Sequence, residues 1–211
     1  VGFIFKLDST GSKLLYSTYI GGSRRDEVNS IAVDENKCLY ITGSTFSIDF
    51  PITQNSFQKE KNEVRDAFVV KIDTKIEGKA ELIFSTYIGG SNFDSPKSIT
   101  VNEDGNIIIA GETSSKDFPI TLNTFGFSSC KGLSTDWFVS ILDKTGTKLL
   151  YSVCIGGSKN EWVSEITLDS SNCINIAGFT DSENFPLKKD SQLVKGDIVV
   201  IKLRPCFVPS F

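Results

Sequence analysis

Three stretches are the first candidates for chemistry: Ile20-Gly21-Gly22-Ser23, Ile88-Gly89-Gly90-Ser91 and Ile155-Gly156-Gly157-Ser158. Glycine-rich amides after an apolar strand cradle a phosphate when they lead into a helix N-terminus. Here another strand-like run follows in every copy. The preferred reading is therefore a bend, where glycine permits close approach of backbone to a neighbour. An acid stands five residues beyond the first glycine of each copy: Asp26, Asp94 and Glu161. A ring of carboxylates is the oxygen donor set that a hard cation such as calcium takes. The competing reading, and the preferred one, is that each acid accepts hydrogen bonds from amides of its own turn.

Other chemistry is excluded or narrowed by composition. The chain has 211 residues and no histidine, so Ser-His-Asp and Cys-His catalysis cannot be assembled from it. This predicts that the chain is not an enzyme. The five cysteines, Cys38, Cys130, Cys154, Cys173 and Cys206, form no C-x-x-C pair, which argues against zinc and thioredoxin-type sites. Antiparallel pairing brings Cys173 near Cys206, a candidate disulfide. Cys154 replaces Tyr19 and Tyr87 and reads as a small packing residue. A net charge of −4 gives no broad basic face for nucleic acid. No apolar run is long enough to span a bilayer. The start at Val1 suggests a processed chain or an excerpt.

These residues recur because the chain repeats. Gly21, Gly89 and Gly156 are 68 and 67 residues apart, and so are Gly43, Gly111 and Gly178. The pairs Phe50-Pro51, Phe118-Pro119 and Phe185-Pro186 keep the same register. Each unit holds four runs rich in Val, Ile, Phe, Tyr and Thr, for example 29–34, 38–45, 67–73 and 82–90. Turn residues such as Glu35-Asn36-Lys37 and Glu103-Asp104-Gly105 separate the first two runs. Four antiparallel strands per tandem unit describe the blade of an all-β propeller.

The combination YSTYIGGS, SIAVD, YITGST and DFPIT resembles the bacterial and archaeal SBBP (seven-bladed β-propeller) repeat, and the likeness runs along essentially the whole chain. By analogy with such repeats, 29–34 is the innermost strand, and the runs after it lie successively further out. The chain then divides into the outer half of one blade (1–22), full blades at 23–90 and 91–157, three strands of a further blade (158–204) and a tail (205–211). About three blades leave open sheet edges, so a longer propeller or a second chain is expected to complete the ring.

Repeated residues build blades, and differing residues at equivalent loops give each blade its surface. Asp66, Asp136 and Asp197 precede the third strand of each unit and read as loop-ordering acids. The Phe of each Phe-Pro reads as a plug between blades. Arg24, Arg25, Phe93 and Trp162 are the distinctive residues after the Gly-Gly-Ser bends, and are the candidate partner contacts. The expected function is a non-catalytic interaction or structural module of an extracellular or cell-surface protein. Its partners would be a protein or the remaining blades. A carbohydrate-binding propeller, or the propeller domain of a polysaccharide-acting enzyme, is the alternative.

Overall fold

The computed structural model describes residues 1–62, 64–75, 81–121, 130–132, 134–186 and 196–204. Every regular element among them is a strand, and there are thirteen. A two-stranded sheet comes first, β1 (Gly2–Leu7) with β2 (Leu14–Ile20). The next holds β3 (Asp26–Val33), β4 (Cys38–Thr45), β5 (Asp66–Asp73) and β6 (Leu82–Ile88) in that order. β7 (Asp94–Val101), β8 (Ile107–Thr113), β9 (Asp136–Leu142) and β10 (Leu149–Ile155) repeat it. β11 (Glu161–Leu168), β12 (Ile174–Thr180) and β13 (Asp197–Leu203) make the last sheet. All pairings are antiparallel between sequence neighbours, as consecutive hairpins dictate.

The hairpins are closed by side chains. Asp34, Asn102 and Asp169 each accept the amide four residues on, at 2.9, 2.8 and 3.0 Å. Such Asx closures replace a missing backbone bond and tolerate the positive φ that follows, at Lys37, Gly105 and Asn172. The first strand of each of the last three sheets begins three residues earlier than the apolar pattern indicates, at the acid itself. The reason is pairing. Asp26, Asp94 and Glu161 stand opposite Thr45, Thr113 and Thr180, whose hydroxyls donate to the carboxylates. A bulge follows each acid, and Gly43, Gly111 and Gly178 lie against the bulged backbone. A Cβ on Gly43 would stand 1.9 Å from the Glu27 carbonyl oxygen, so no other residue fits.

The sheets stack face to face, and apolar layers fill the gaps between them. One joins Ile4, Tyr16 and Ile20 to Leu39, Ile41, Phe68, Val70 and Tyr87. A second joins Ala67, Val69, Phe84 and Ile88 to Ile109, Phe138, Leu142 and Cys154. A third joins Trp137, Val139 and Val153 to Ile166, Ile176, Val199 and Leu203. β3 lies against β7, and β7 against β11, so the first strands of successive sheets line one axis. Phe50, Phe118 and Phe185 enter these layers and pack on Phe68, Phe138 and Trp137, with ring centroids 4.4, 4.6 and 5.1 Å apart. They are the plugs their register implied.

Candidate functional site

The Gly-Gly-Ser bends spend their amides internally. Gly22, Gly90 and Gly157 donate to Asp26, Asp94 and Glu161 at 2.9, 2.8 and 3.2 Å. The serine amides of the next residues reach Asp49, Asp117 and Asn184 at 2.8 to 2.9 Å. Those of Arg24, Asn92 and Lys159 reach Ser47, Ser115 and Ser182. No helix follows and these amides already have acceptors, so the bend cannot cradle a phosphate as a glycine-rich loop does.

The acids of these bends lie at three successive joints. Among the described residues no three acidic or cysteine side chains gather as a metal site. Asp26, Asp94 and Glu161 are therefore not brought together with one another. Two of them instead meet a different acid from the preceding sheet. Asp66 and Asp136 begin β5 and β9, where each accepts a loop amide, from Asn62 at 2.9 Å and Lys131 at 2.7 Å. The carboxylates close on Gly89 and Gly156. A Cβ on Gly156 would stand 2.0 Å from Asp136 Oδ1 and 2.9 Å from Glu161 Oε2. On Gly89 it would meet Asp94 Oδ2 at 2.8 Å and Asp66 Cγ at 3.0 Å. The first glycine of the bend thus makes room for two buried carboxyl groups. Asp66 Oδ1, Asp136 Oδ1 and Glu161 Oε2 have no hydrogen-bond partner.

Burial pushes Asp94 up to about 7, against hydrogen bonds from Thr113, Gly90 and Ser115 and with the Asp66 charge adding to the rise. Burial likewise raises Asp66, Asp136 and Glu161. Adjacent buried carboxyls cannot all ionise cheaply.

The second feature is a cavity of about 690 Å³ where the first strands of three sheets meet at the axis. Glu27, Arg65, Phe93, Lys97, Glu112 and Ser164 are among its lining residues. A backbone bridge between Arg65 and Phe93 and the Asp94 amide bonded to the Arg65 carbonyl at 2.9 Å fix the rim. The Arg65 guanidinium bonds Glu27 at 2.7 Å and also Ser44. Lys97 pairs with Glu112 at 3.4 Å. Arg65 Nε and Glu112 Oε1 are buried without a hydrogen-bond partner. Burial raises the Glu112 carboxyl, with Lys97, the Val163 amide and Arg65 opposing.

The four partner-contact candidates are not brought together. Phe93 stands exposed at this cavity. Arg24 is exposed on the bend before it, and Arg25 pairs with Glu27. Trp162 belongs elsewhere, on the open face of the last sheet beside Phe179. Sequence reasoning missed Arg65 and Glu112. Their signal was present: Arg65 stands where the other units have Thr135 and Gly196, and Glu112 where they have Ser44 and Phe179.

The cysteines need one correction. Cys154 is not merely a packing residue, because it is disulfide-bonded to Cys130, with Cα atoms 5.2 Å apart. Cys130 sits in the long loop before β9, whose spacing gave no hint of its reach. Cys173 is a buried free thiol, and Cys206, its expected partner, lies outside the described residues.

A family model described as a β-propeller repeat, SBBP, matches residues 15–51 and 83–119. Those two segments match the SBBP repeat. Each SBBP segment runs from an outermost strand through the bend and the next two strands to the Phe-Pro plug. The match is narrower than the resemblance first suggested, since the unit from Tyr151 to Pro186 falls outside it. That unit nevertheless keeps the same strand order and the same bend geometry as the SBBP segments. No curated protein matches the chain. No helix among the described residues is long and apolar enough to cross a membrane, which leaves strand-built spans unaddressed.

Proposed function

We propose that this SBBP propeller segment is a non-catalytic interaction module that docks a protein partner on the face carrying the Gly-Gly-Ser bends and the plug loops. The observation that carries this reading is the cavity at the axis with Phe93 exposed on its rim beside Arg65. A loop-built face bearing one exposed aromatic next to a guanidinium is where partner-binding energy concentrates. The Cys130–Cys154 disulfide supports an extracellular or cell-surface setting, because such bonds persist in oxidising compartments. The test is a photo-crosslinker placed at Phe93 and, as control, at Asn36 on the opposite hairpin turns, in the native host. A discrete adduct from Phe93 alone supports the reading. Equal labelling from both positions overturns it.

One observation favours carbohydrate as a second reading. Two acids and two bases, Glu27, Glu112, Arg65 and Lys97, leave the cavity near neutral, with Phe93 exposed on its rim. A neutral polyhydroxyl ligand offers both an acceptor and a donor. Glycan-array binding that disappears in Glu112→Gln and Phe93→Ala would establish it.

A further inference from the structure

The two end sheets expose the residues that inner sheets bury. Repeat register makes this exact in position. Phe3, Phe5, Leu7 and Tyr19 correspond to Phe68, Val70, Ile72 and Tyr87. The latter are at most 2% exposed, packed against the sheet that precedes them. The former are 43–73% exposed, on the side of β1–β2 that no described sheet covers. Phe3 stacks with Phe5 and Tyr19 at centroid distances of 5.7 and 5.3 Å, which makes a continuous aromatic surface.

The far end shows the complementary pattern. Ile198 and Val200 correspond to Ala67 and Val69 and to Trp137 and Val139. Those four are fully buried against the following sheet, whereas Ile198 and Val200 are 72% and 68% exposed. Trp162 and Phe179 continue the row beside Ile198 on the same face. Isolated exposed apolar residues need no explanation, but contiguous rows on a sheet face do.

The inner layers show which surface fits which. Ala67 and Val69 of one sheet meet Phe138, Leu142 and Cys154 of the next. Trp137 and Val139 meet Val199 and Leu203 in the same relation. Applied to the ends, Ile198 and Val200 are built to receive Phe3, Leu7 and Tyr19. One chain carries both halves of that contact, so the occupant is on hand. We propose that a second copy of this chain packs head to tail on the first through these faces. Two such contacts close a ring of eight sheets, four of them full four-stranded blades and the others of two or three strands.

The test is the solution mass of the 211-residue chain, 23.2 kDa per copy, by light scattering at about tens of micromolar, where a modest interface is populated. The expected result is twice the chain mass. Phe5→Lys and Val200→Lys each remove one face and should each give a monomer with an unchanged far-ultraviolet spectrum. An equimolar mixture of the two retains one intact contact and should recover a dimer. As a check independent of charge, Tyr19→Cys mixed with Val200→Cys should form an interchain disulfide on oxidation. An unsubstituted 211-residue chain that stays monomeric overturns the proposal and assigns the faces to blades from elsewhere. A dimer unaffected by both lysine variants, or an open-ended polymer, overturns it as well.

Discussion

The joint at Gly89 and the joint at Gly156 perform the same task with different anchors. In both, the outermost strand bends through two glycines into the innermost strand of the next sheet. In both, an acid from each sheet closes on the first glycine. The long loop before the third strand must then be pinned to the outermost strand. At the first joint, Gln58 does this through a backbone bridge to Tyr87, with its side-chain carbonyl accepting the Gly89 amide at 3.0 Å. At the second, a cysteine occupies the Tyr87 position, and Cys130–Cys154 pins the loop covalently. Hydrogen bonds and a disulfide are thus interchangeable solutions to one geometric problem. The buried carboxylate pair, kept at both joints, is what the joint itself requires.

The largest way to probe the shared element is pH. The Asp94 carboxyl is raised from 3.8 to about 7 in the folded chain. A raised acid stabilises the fold fully below its unfolded value and loses that contribution as pH climbs through the folded value. The folded chain should therefore lose stability between pH 4 and 7, by at most about 4 kcal/mol from this group at 1.36 kcal/mol per unit. Asp66, Asp136 and Glu161 act in the same direction. Asp94→Asn should flatten the decline, read as urea midpoints at pH 4.5, 6 and 7.5. An unchanged slope in that variant would mean the joint acids do not titrate as a buried pair.

The covalent anchor comes next. Cys130 and Cys154 are 24 residues apart, and closing a loop of that size stabilises by about 3 kcal/mol in the chain-entropy account. Cys130→Ser should cost about that much, and reductant should mimic it in the native chain. Urea curves that coincide with and without the bond would show the loop to be pinned by packing alone.

The glycines separate the joints more finely. At Gly156 a Cβ would collide with Asp136 Oδ1 at 2.0 Å, against 2.8 Å to Asp94 at Gly89. Gly156→Ala should cost roughly 2–3 kcal/mol and Gly89→Ala about 1, in the range for overpacked sites. Equal losses, measured by thermal unfolding, would mean that the carboxylates move aside equally well.

Much of this was legible because the sequence repeats. Strand order, hairpins and the Phe-Pro plugs are each stated three times. The bends read correctly as joints for the same reason. The carboxylate pairs were less visible, because Asp66 and Asp94 are remote in sequence and meet only when two sheets stack. Arg65 and Glu112 were hidden by their singularity: each sits where the other units have a different residue type. The Cys130–Cys154 bond was invisible, since Cys154 had been defined by the Tyr it replaces, and the partner lies in a loop without a repeat counterpart.

The smallest expected effect tests whether the hydrogen-bonded anchor is a working counterpart of the disulfide. Gln58 uses its side chain twice at the joint, accepting from Gly89 and donating to Asp66 Oδ2 at 3.3 Å. Its backbone bridge to Tyr87 does not depend on the side chain. Gln58→Ala should therefore leave the loop in place and remove only the side-chain contribution, about 1 kcal/mol for hydrogen bonds of this kind. The Gly89 amide should then exchange with solvent roughly fivefold faster, the factor that about 1 kcal/mol implies. The same change leaves Asp66 with one amide donor, as at Asp136, whose joint has the disulfide instead. If Gly89 exchange is unaltered, the loop is held without the Gln58 side chain, by its bridge to Tyr87, the Gln58 amide on Thr86 and Asn62 on the Gly89 carbonyl, and the two joints differ in kind rather than in the strength of their anchors.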